Sequence, residues 1–395
     1  MDNSYHLIGI DGGASKVSVW HTEVQNNTVS LGSISSTISY EIDAEFLPGF
    51  KPIDITTQLE QMHSVIQLTD FEKQQGGVIL RSCASAIAEV VQQLSGKPIL
   101  IGMGFPGLKT VDGRGIAALA NGPRMPDFCN QLESQLHEIG VRLVRPIARI
   151  GSDADYCGIG EEYGDMGCFN ESRNAYYLGG GTGAADAIKL RGKLLPFDTI
   201  KGWLLKSWEM KNAQGVSLEK YASAGGIQWV YAHYYTLLTM DDVQRQKLYP
   251  DKLLLMAVQG DPAAIDTFDD ISTNLAMLLF ERMTTVYTGW MELFECVNPN
   301  RPIPEISHPY RGILLDRIVI GQRLGTLIDQ SRSSLVLWKQ LLANLTHLIM
   351  TYEGLSSEFV QHYCPGNKFD ESRIVTSQLR EAPVLGAAMD AYLGL

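Results

Sequence analysis

The chain has 395 residues, of which 45% are hydrophobic and 19% charged, and its 32 basic and 44 acidic side chains leave a net charge of −12. This composition is typical of a globular protein and excludes intrinsic disorder and collagen-like architectures, and a length of this size predicts two or three domains at about 150 residues each. The acidic balance also argues against a nucleic-acid partner, because binding to a phosphate backbone depends on clustered Lys and Arg.

The cysteines and the N-terminus indicate the compartment. Six cysteines lie far apart and form no CxxC pair, so neither a zinc ribbon, a thioredoxin-like site nor a disulfide framework is expected. The N-terminus has no basic or apolar leader region, and apolar runs such as Leu275–Phe280 are too short to cross a bilayer. We therefore expect a cytoplasmic protein with reduced thiols and no membrane partner.

The first part of the chain alternates strand and helix patterns. A short apolar strand at Leu7–Ile10 runs into a glycine turn, and Val17, Val19 and Trp20 predict a second strand that completes a hairpin. The predicted elements that follow are helical periodicity over 53–94, a buried strand at 98–103 ending in a Gly-Phe-Pro-Gly loop, and a Gly/Pro-rich connector at 121–126 that predicts a lobe boundary.

The second part repeats the theme of strands that end in glycine-rich turns. In chain order we predict a helix at 128–139, strands at 142–150 and 174–178, a helix at 153–162 capped by Ser152, mostly helical segments at 217–240 and 252–297, a proline-rich loop at 298–315, a strand at 317–320 and closing helices. The recurrence indicates duplicated α/β halves.

Two glycine-rich turns at strand ends, at 11–16 and 179–183, carry the strongest chemical signal. Glycine lets the backbone approach a phosphate, and the freed N–H groups form an anion-binding concavity, so two such turns would cradle a polyphosphate. Asp11 could hold Mg²⁺ directly or through water, and Ser15 and Lys16 add a hydroxyl and a positive charge. Either turn alone is weak evidence of function, since such turns are more often plain geometry.

A third feature is the segment Gly151-Ser152-Asp153-Ala154-Asp155, which follows a strand and precedes a helix. A carboxylate there can accept a proton from a substrate hydroxyl during phosphoryl transfer. The alternative is that Asp153 or Asp155 caps the helix, which is what most Asp residues in this position do. Two acidic residues allow one to cap and the other to act as base.

These residues, in this order, resemble the ROK (repressor, open reading frame, kinase) family of the actin–hexokinase superfamily over most of the chain. Ile8–Lys16 resembles the first phosphate motif and Gly179–Gly183 the second, Asp153 aligns with the catalytic base of the family's Asn-Asp-Ala-Asn signature, and Ile318–Gly321 is similar to the adenosine strand. The resemblance implies a nucleotide site made of Asp11, Gly12, Gly13, Ser15, Lys16, Gly180, Gly181, Thr182, Gly183 and Gly321, and a sugar site made of Gly104, Pro106, Gly107, Asn121, Ser152, Asp153 and Glu219.

The fold that the resemblance implies is an α/β, two-lobed, actin/hexokinase-like (ribonuclease H-like) fold, with ATP, Mg²⁺ and a sugar in the interlobe cleft. Residues 1–122 plus about 380–395 would form the N-terminal lobe and residues 123–379 the C-terminal lobe. The family also favours a homodimer.

Several departures from the family pattern bear on function. The stretch between Leu195 and Leu218 has no His and no Cys, where the family carries a His-plus-three-Cys zinc motif, so no structural zinc is expected. Ala14 and Ala185 stand where glycines are usual, Ser152 replaces the Asn of the signature, and the adenosine turn reads Gly-Gln-Arg from position 321. Together they indicate an outlying branch with an altered acceptor or weakened nucleotide binding.

The leading hypothesis is an ATP-dependent kinase of a hexose, amino sugar or related polyol. A non-catalytic sugar or nucleotide sensor and a kinase of a cyclitol remain open alternatives. The family's repressors carry an additional N-terminal helix-turn-helix, for which a first phosphate strand starting at Leu7 leaves no room, so a repressor is not expected.

Overall fold

A computed structural model describes residues 4–62 and 64–394. The predictions that touch residues 1–3, 63 and 395, including the leaderless N-terminus and part of the helical periodicity over 53–94, lie outside the described residues at those positions.

The regular elements follow one another along the whole chain. The strands are β1 (His6–Gly12), β2 (Lys16–Gln25), β3 (Thr28–Ser39), β4 (Ile99–Phe105), β5 (Leu108–Lys109), β6 (Ile116–Ala118), β7 (Ile150–Ser152), β8 (Ala175–Gly180), β9 (Ala184–Leu190), β10 (Lys193–Leu195), β11 (Met210–Lys211), β12 (Glu295–Cys296), β13 (Arg317–Gly321) and β14 (Ile374–Thr376). The α-helices are α1 (Ile55–Gln61), α2 (Asp70–Gln92), α3 (Phe128–Glu138), α4 (Asp153–Tyr163), α5 (Phe197–Ile200), α6 (Glu219–Ala222), α7 (Ala224–Val230), α8 (Met240–Arg245), α9 (Pro250–Val258), α10 (Pro262–Thr288), α11 (Gln322–Ser331), α12 (Trp338–Thr351), α13 (Ser357–Tyr363) and α14 (Ala382–Leu393).

Two five-stranded sheets repeat one topology. The first has the order β3-β2-β1-β4-β7 and the second β10-β9-β8-β13-β14. In each sheet the central strand pairs antiparallel with the hairpin strand that follows it, and parallel with the next long strand. The expected duplication of α/β halves is therefore confirmed, and it places the carboxyl ends of the parallel strands at one edge of each sheet.

The chain divides into two compact units, residues 1–167 with 381–395, and residues 168–380. This boundary differs from the division after residue 122 that the sequence predicts. The physical reason is strand pairing, because β7 lies parallel to β4, with Gly151 opposite Gly104, and so keeps the segment after residue 122 in the first unit.

Glycines let the C-terminal helix of the first unit pack directly on backbone. A Cβ added to Gly102 on β4 would lie 1.8 Å from the carbonyl oxygen of Ala387, and one added to Gly160 on α4 would lie 2.2 Å from that of Ala382. No side chain fits at either position, so α14 seats against β4 and α4 at backbone distance.

Helix starts follow the capping rules in the sequence. Thr69 and Glu72 form a reciprocal capping box at the start of α2, which satisfies two backbone donors that the first turn leaves without partners. Ser152 accepts a hydrogen bond from the backbone N–H of Asp155 at 3.4 Å and caps α4 as predicted.

Some predicted elements are shorter than the sequence indicates. The predicted strand at 142–150 is a strand only at Ile150–Ser152. Earlier in that segment, Leu143 makes only an isolated bridge with Ile99. The predicted helix over 252–297 is divided and ends at Thr288, where Gly289 adopts a φ of 99°. Throughout residues 4–62 and 64–394, no helix combines the length and apolar character that a bilayer crossing requires.

Candidate active site

In the first unit, Asp11 stands at the carboxyl end of the central strand β1. It lies opposite Ser18 on β2 and opposite Gly104 on β4. The next residue, Gly12, packs under an aromatic ring, since an added Cβ would lie 2.1 Å from the side chain of Phe105. Glycine at position 12 is thus required by packing, and it places the following turn at the strand end.

The first glycine-rich turn is anchored by a residue that carries no motif, Tyr40. Its hydroxyl donates to the carbonyl oxygen of Gly13 at 3.1 Å, and its backbone N–H donates to that of Ser15 at 2.9 Å. The turn is closed by the Gly13 N–H, which donates to the carbonyl oxygen of Lys16 at 2.9 Å. Ser15 and Lys16 are themselves exposed, so their side chains are available to a ligand.

Asp153 is the first residue of α4 and directly follows β7. Ser152 caps this helix, so Asp153 is not required as the helix cap and its carboxylate is available for another role. The junction is held by Tyr156, whose ring lies against Gly151, where a Cβ would approach it to 2.0 Å. The Tyr156 hydroxyl donates to Asp390 on α14 at 2.7 Å.

Three carboxyl groups share this end of the first unit. Burial, followed by the negative charges of Asp153 and Glu381, raises the pKa of Asp11 from 3.8 to about 7, against the opposing effect of Lys16. Glu381 directly precedes α14 and was not expected from the sequence, because no motif marks it. The cluster favours a proton or a cation at this end of the sheet.

The expected sugar-side loop follows β4. Gly107 has a φ of 91°, which favours glycine, and a Cβ there would lie 2.5 Å from the carbonyl oxygen of Ala118. Lys109 closes the loop by donating to the carbonyl oxygens of Phe105 and Gly107 at 2.8 Å and 2.7 Å. Gly104 at the strand end and Pro106 in the loop therefore stand beside Asp11 and the start of α4 by strand pairing.

Asn121 is exposed on a loop that two sets of polar contacts hold in place. The Gln58 side chain accepts from the Leu119 N–H at 2.8 Å. Arg124, with no solvent exposure, donates to both carboxylate oxygens of Glu72 at 2.7 Å and 2.9 Å. A fully buried arginine three residues after Asn121 is a structural clamp that the sequence did not reveal.

In the second unit, the turn Gly180–Gly183 joins β8 to β9. The Gly181 N–H donates to the carbonyl oxygen of Gly183 at 2.9 Å, and Thr182 and Gly183 are exposed. Glu219, predicted from the resemblance to bind substrate, lies on this turn and accepts a hydrogen bond from the Ala184 N–H at 3.0 Å. The structure therefore brings Glu219 together with the turn that the sequence predicts to bind phosphate.

The predicted adenosine turn borders the same glycines. Gly321 ends β13 beneath Tyr177, where a Cβ would lie 2.4 Å from the hydroxyl, and Gln322 has a φ of 57°. A Cβ on Gly181 would lie 2.7 Å from Oε1 of Gln322. A small polar cavity of about 160 Å³ opens beside Gln322, lined also by Thr326, Asp329, Gln330, Ser377, Gln378, Leu379 and Arg380.

A buried ionic network organises the segment around Ser207, within the stretch between Leu195 and Leu218 that contains no His and no Cys. Asp186 on β9 accepts from the Ser207 N–H at 2.9 Å and from the Ser207 hydroxyl at 2.7 Å. Its other oxygen accepts from Tyr176 at 2.5 Å and from Arg282 at 3.1 Å, and Arg282 and Asp186 have no solvent exposure. This network ties Ser207 to β8, β9 and α10.

The comparisons with known proteins find similar solved structures. No protein-family model and no curated protein matches the sequence. The structure is similar to a ROK family glucokinase from Streptomyces griseus in complex with glucose and AMPPNP, at 14% identity and a TM-score of 0.56, covering 98% of this chain and 100% of that one.

Two further solved structures share this similarity. A ROK hexokinase from Thermus thermophilus is 16% identical with a TM-score of 0.53, covering 98% of each chain. A ROK family transcriptional regulator is 13% identical with a TM-score of 0.55, covering 99% of this chain and 78% of that one. At these identities the likeness establishes the fold, which is the actin/hexokinase-like fold of ROK proteins.

Proposed function

We propose that this chain is an ATP-dependent kinase that phosphorylates a hydroxyl group of a hexose, amino sugar or related polyol. The observation that carries the proposal is the pair of carboxylates at the ends of β1 and β7, Asp11 and Asp153, which are close enough for the charge of Asp153 to raise the pKa of Asp11. In a fold shared with sugar kinases, two such carboxylates supply a general base and a metal-ion ligand, which phosphoryl transfer to an alcohol needs.

Asp153 is the proposed general base. Asp153 is the first residue of α4 and directly follows β7. A carboxylate in this position accepts the proton of the acceptor hydroxyl as that oxygen attacks the γ-phosphorus of ATP. The bond from the γ-phosphorus to the bridging oxygen breaks, and ADP leaves.

The residues of the first unit fit a Mg²⁺ ion. Carboxylate oxygens are the ligands this ion prefers, and a kinase Mg²⁺ is held by one or two carboxylates together with phosphates rather than by a protein cage. Asp11, whose charged form is opposed by Asp153 and Glu381, would hold the ion directly or through water. Bound Mg²⁺ would neutralise charge on the polyphosphate. Within residues 4–62 and 64–394 no group of three or more His, Cys, Asp or Glu side chains is placed to hold a metal ion by itself.

The two glycine-rich turns are the proposed phosphate contacts. Lys16 and Ser15 are exposed beside the first turn, and Thr182 and Gly183 are exposed on the second. Backbone N–H groups in such turns attract phosphate oxygens. The net negative charge of the chain does not oppose this, because a polyphosphate responds to local charge and to Mg²⁺.

The acceptor is proposed to be a sugar or polyol, with Gly104, Pro106, Gly107, Asn121 and Ser152 as further contacts. The segment that would supply a His in the family is held here by the Asp186 network and contains no His. A changed acceptor, such as a cyclitol, is therefore part of the test.

A non-catalytic sensor is the second candidate, and one observation favours it. Gln322 projects its amide oxygen over Gly181, and Glu219 occupies the Ala184 N–H, so both side chains crowd the second phosphate turn. A sensor would bind sugar or nucleotide in a calorimeter without releasing ADP, whereas a kinase would turn over.

The test is a ³¹P NMR screen of MgATP with hexoses, amino sugars, linear polyols and cyclitols. A kinase gives a new phosphomonoester signal together with ADP for at least one acceptor, at a rate above hydrolysis without acceptor. Binding of a panel member without any phosphomonoester would favour the sensor and contradict the kinase.

A further inference from the structure

Glu219 lies where a phosphate would be expected to bind. Its Oε1 accepts the Ala184 N–H at 3.0 Å, and a Cβ added to Gly183 would approach the same oxygen to 2.7 Å. The carboxylate therefore lies against the turn, in the space that the absence of a side chain at Gly183 leaves open. An anion on a glycine-rich turn that uses a backbone N–H is the arrangement by which such turns hold phosphate oxygens.

The backbone around Glu219 is fastened to the turn. The Ala224 N–H donates to the carbonyl oxygen of Gly181 at 2.9 Å, and Gly225 is so close to the carbonyl oxygen of Thr182 that a Cβ would lie 3.0 Å from it. The Ser223 hydroxyl donates to the carbonyl oxygen of Glu219 at 2.8 Å. Helices α6 and α7 are therefore held against the turn, and this places the Glu219 side chain beside the Ala184 N–H.

We propose that Glu219 is a gate on the second phosphate turn: its carboxylate occupies the phosphate position in the resting chain and must swing away before a nucleotide phosphate can bind there. Two anions cannot share one N–H donor, and like charges a few ångströms apart repel each other. Glu219 is in this way a specificity-determining residue of the nucleotide site.

The gate deepens the proposed function and rests on it in one respect. The resemblance gives the same carboxylate an acceptor hydroxyl as its partner. An acceptor that takes Glu219 would release the Ala184 N–H for phosphate, so that acceptor binding would precede tight nucleotide binding. The gate itself depends only on contacts within the second unit.

The experiment is isothermal titration of MgADP, and separately of inorganic pyrophosphate, into the full chain without acceptor. The variants are Glu219→Gln, which keeps the shape and removes the charge, and Glu353→Gln, a control that removes one exposed charge from the same unit. We expect Glu219→Gln to bind both probes about tenfold more tightly than the unaltered chain, since removing a like charge at this distance has an effect of that order. The control is expected to match the unaltered chain.

The result that overturns the gate is Glu219→Gln binding both probes no more tightly than the unaltered chain, with thermal unfolding confirming that the variant is folded. This outcome is separate from failure of the proposed function. If the protein phosphorylates an acceptor but Glu219→Gln shows no gain in affinity, only the gate proposal is contradicted. If the protein phosphorylates no acceptor but Glu219→Gln shows the gain in affinity, the gate proposal stands and the kinase proposal is contradicted.

Discussion

Replacing Asp11 by Asn is expected to stabilise the protein at alkaline pH and to have little effect near pH 4. The pKa of Asp11 is raised from 3.8 to about 7 by burial and by Asp153 and Glu381. The folded chain therefore keeps a proton that the unfolded chain has lost between these values. The stability contributed by this group is complete below about pH 3.8 and is lost as the pH rises through about 7.

The magnitude follows from the pKa. A rise from 3.8 to about 7 corresponds to about 4 kcal/mol of unfavourable interaction for the charged carboxylate. Asparagine is neutral at every pH and has the same shape, so Asp11→Asn removes this cost above pH 8. We expect a gain approaching that value without Mg²⁺ and a smaller gain with it, because the cation offsets the same repulsion.

The assay is urea unfolding followed by circular dichroism at intervals from pH 4 to pH 9, in EDTA. The matched control is Asp112→Asn in the same unit. Hydrogen bonds from Thr110 and the Arg114 backbone lower the pKa of Asp112, so that variant should lose a little stability above pH 4 rather than gain any. The reasoning would be refuted if the free energy of unfolding of Asp11→Asn runs parallel to that of the unaltered chain across this range, or falls below it at pH 9. Either result would mean that burial and the neighbouring carboxylates do not oppose the charged form of Asp11.

Two further predictions concern packing and a buried ion pair. Gly102→Ala should lower the free energy of unfolding in urea by about 1–3 kcal/mol or more, because its Cβ would meet the carbonyl oxygen of Ala387 at 1.8 Å. Gly202→Ala is the control and should be nearly neutral, since a Cβ at Gly202 has open space around it. Arg124→Met should cost about 3–5 kcal/mol by leaving the Glu72 carboxylate buried without a cation. The same variant should raise KM for the acceptor more than it lowers kcat, since Arg124 holds the Asn121 loop. If adding Glu72→Gln to Arg124→Met restores no stability, the unpaired Glu72 carboxylate is not the cause of the lost stability.

Local patterns predicted the parts of the fold that depend on local chemistry. The hairpin around Asp11 and the strand-to-helix junctions at Asp153 and Gly321 were predicted because apolar strands end at glycines and because Ser152 is a good helix cap. The repeated sheet order confirms the duplication expected from the recurring turns. These features depend on residues adjacent in sequence, which a single sequence can display.

The parts that the sequence did not reveal depend on contacts between distant segments. Tyr40, Arg124 and Glu381 carry no motif, and each acts on a site loop or carboxylate from another element. The boundary between the units likewise depends on the pairing of β7 with β4 rather than on the Gly/Pro-rich connector. Asp186 reads as an isolated charge in a strand until Arg282, 96 residues later, is placed beside it.

The most direct test of the central claim compares Asp153→Asn with Asp155→Asn in phosphoryl transfer from γ-labelled ATP to the acceptor that the NMR screen identifies. If Asp153 is the base, Asp153→Asn should lower kcat by about 10²–10⁴-fold while MgADP still binds, because general-base catalysis contributes a factor of this size. Asp155→Asn, on the same helix turn, should lose far less. Unchanged transfer by Asp153→Asn, or an equal loss in both variants, would contradict the account.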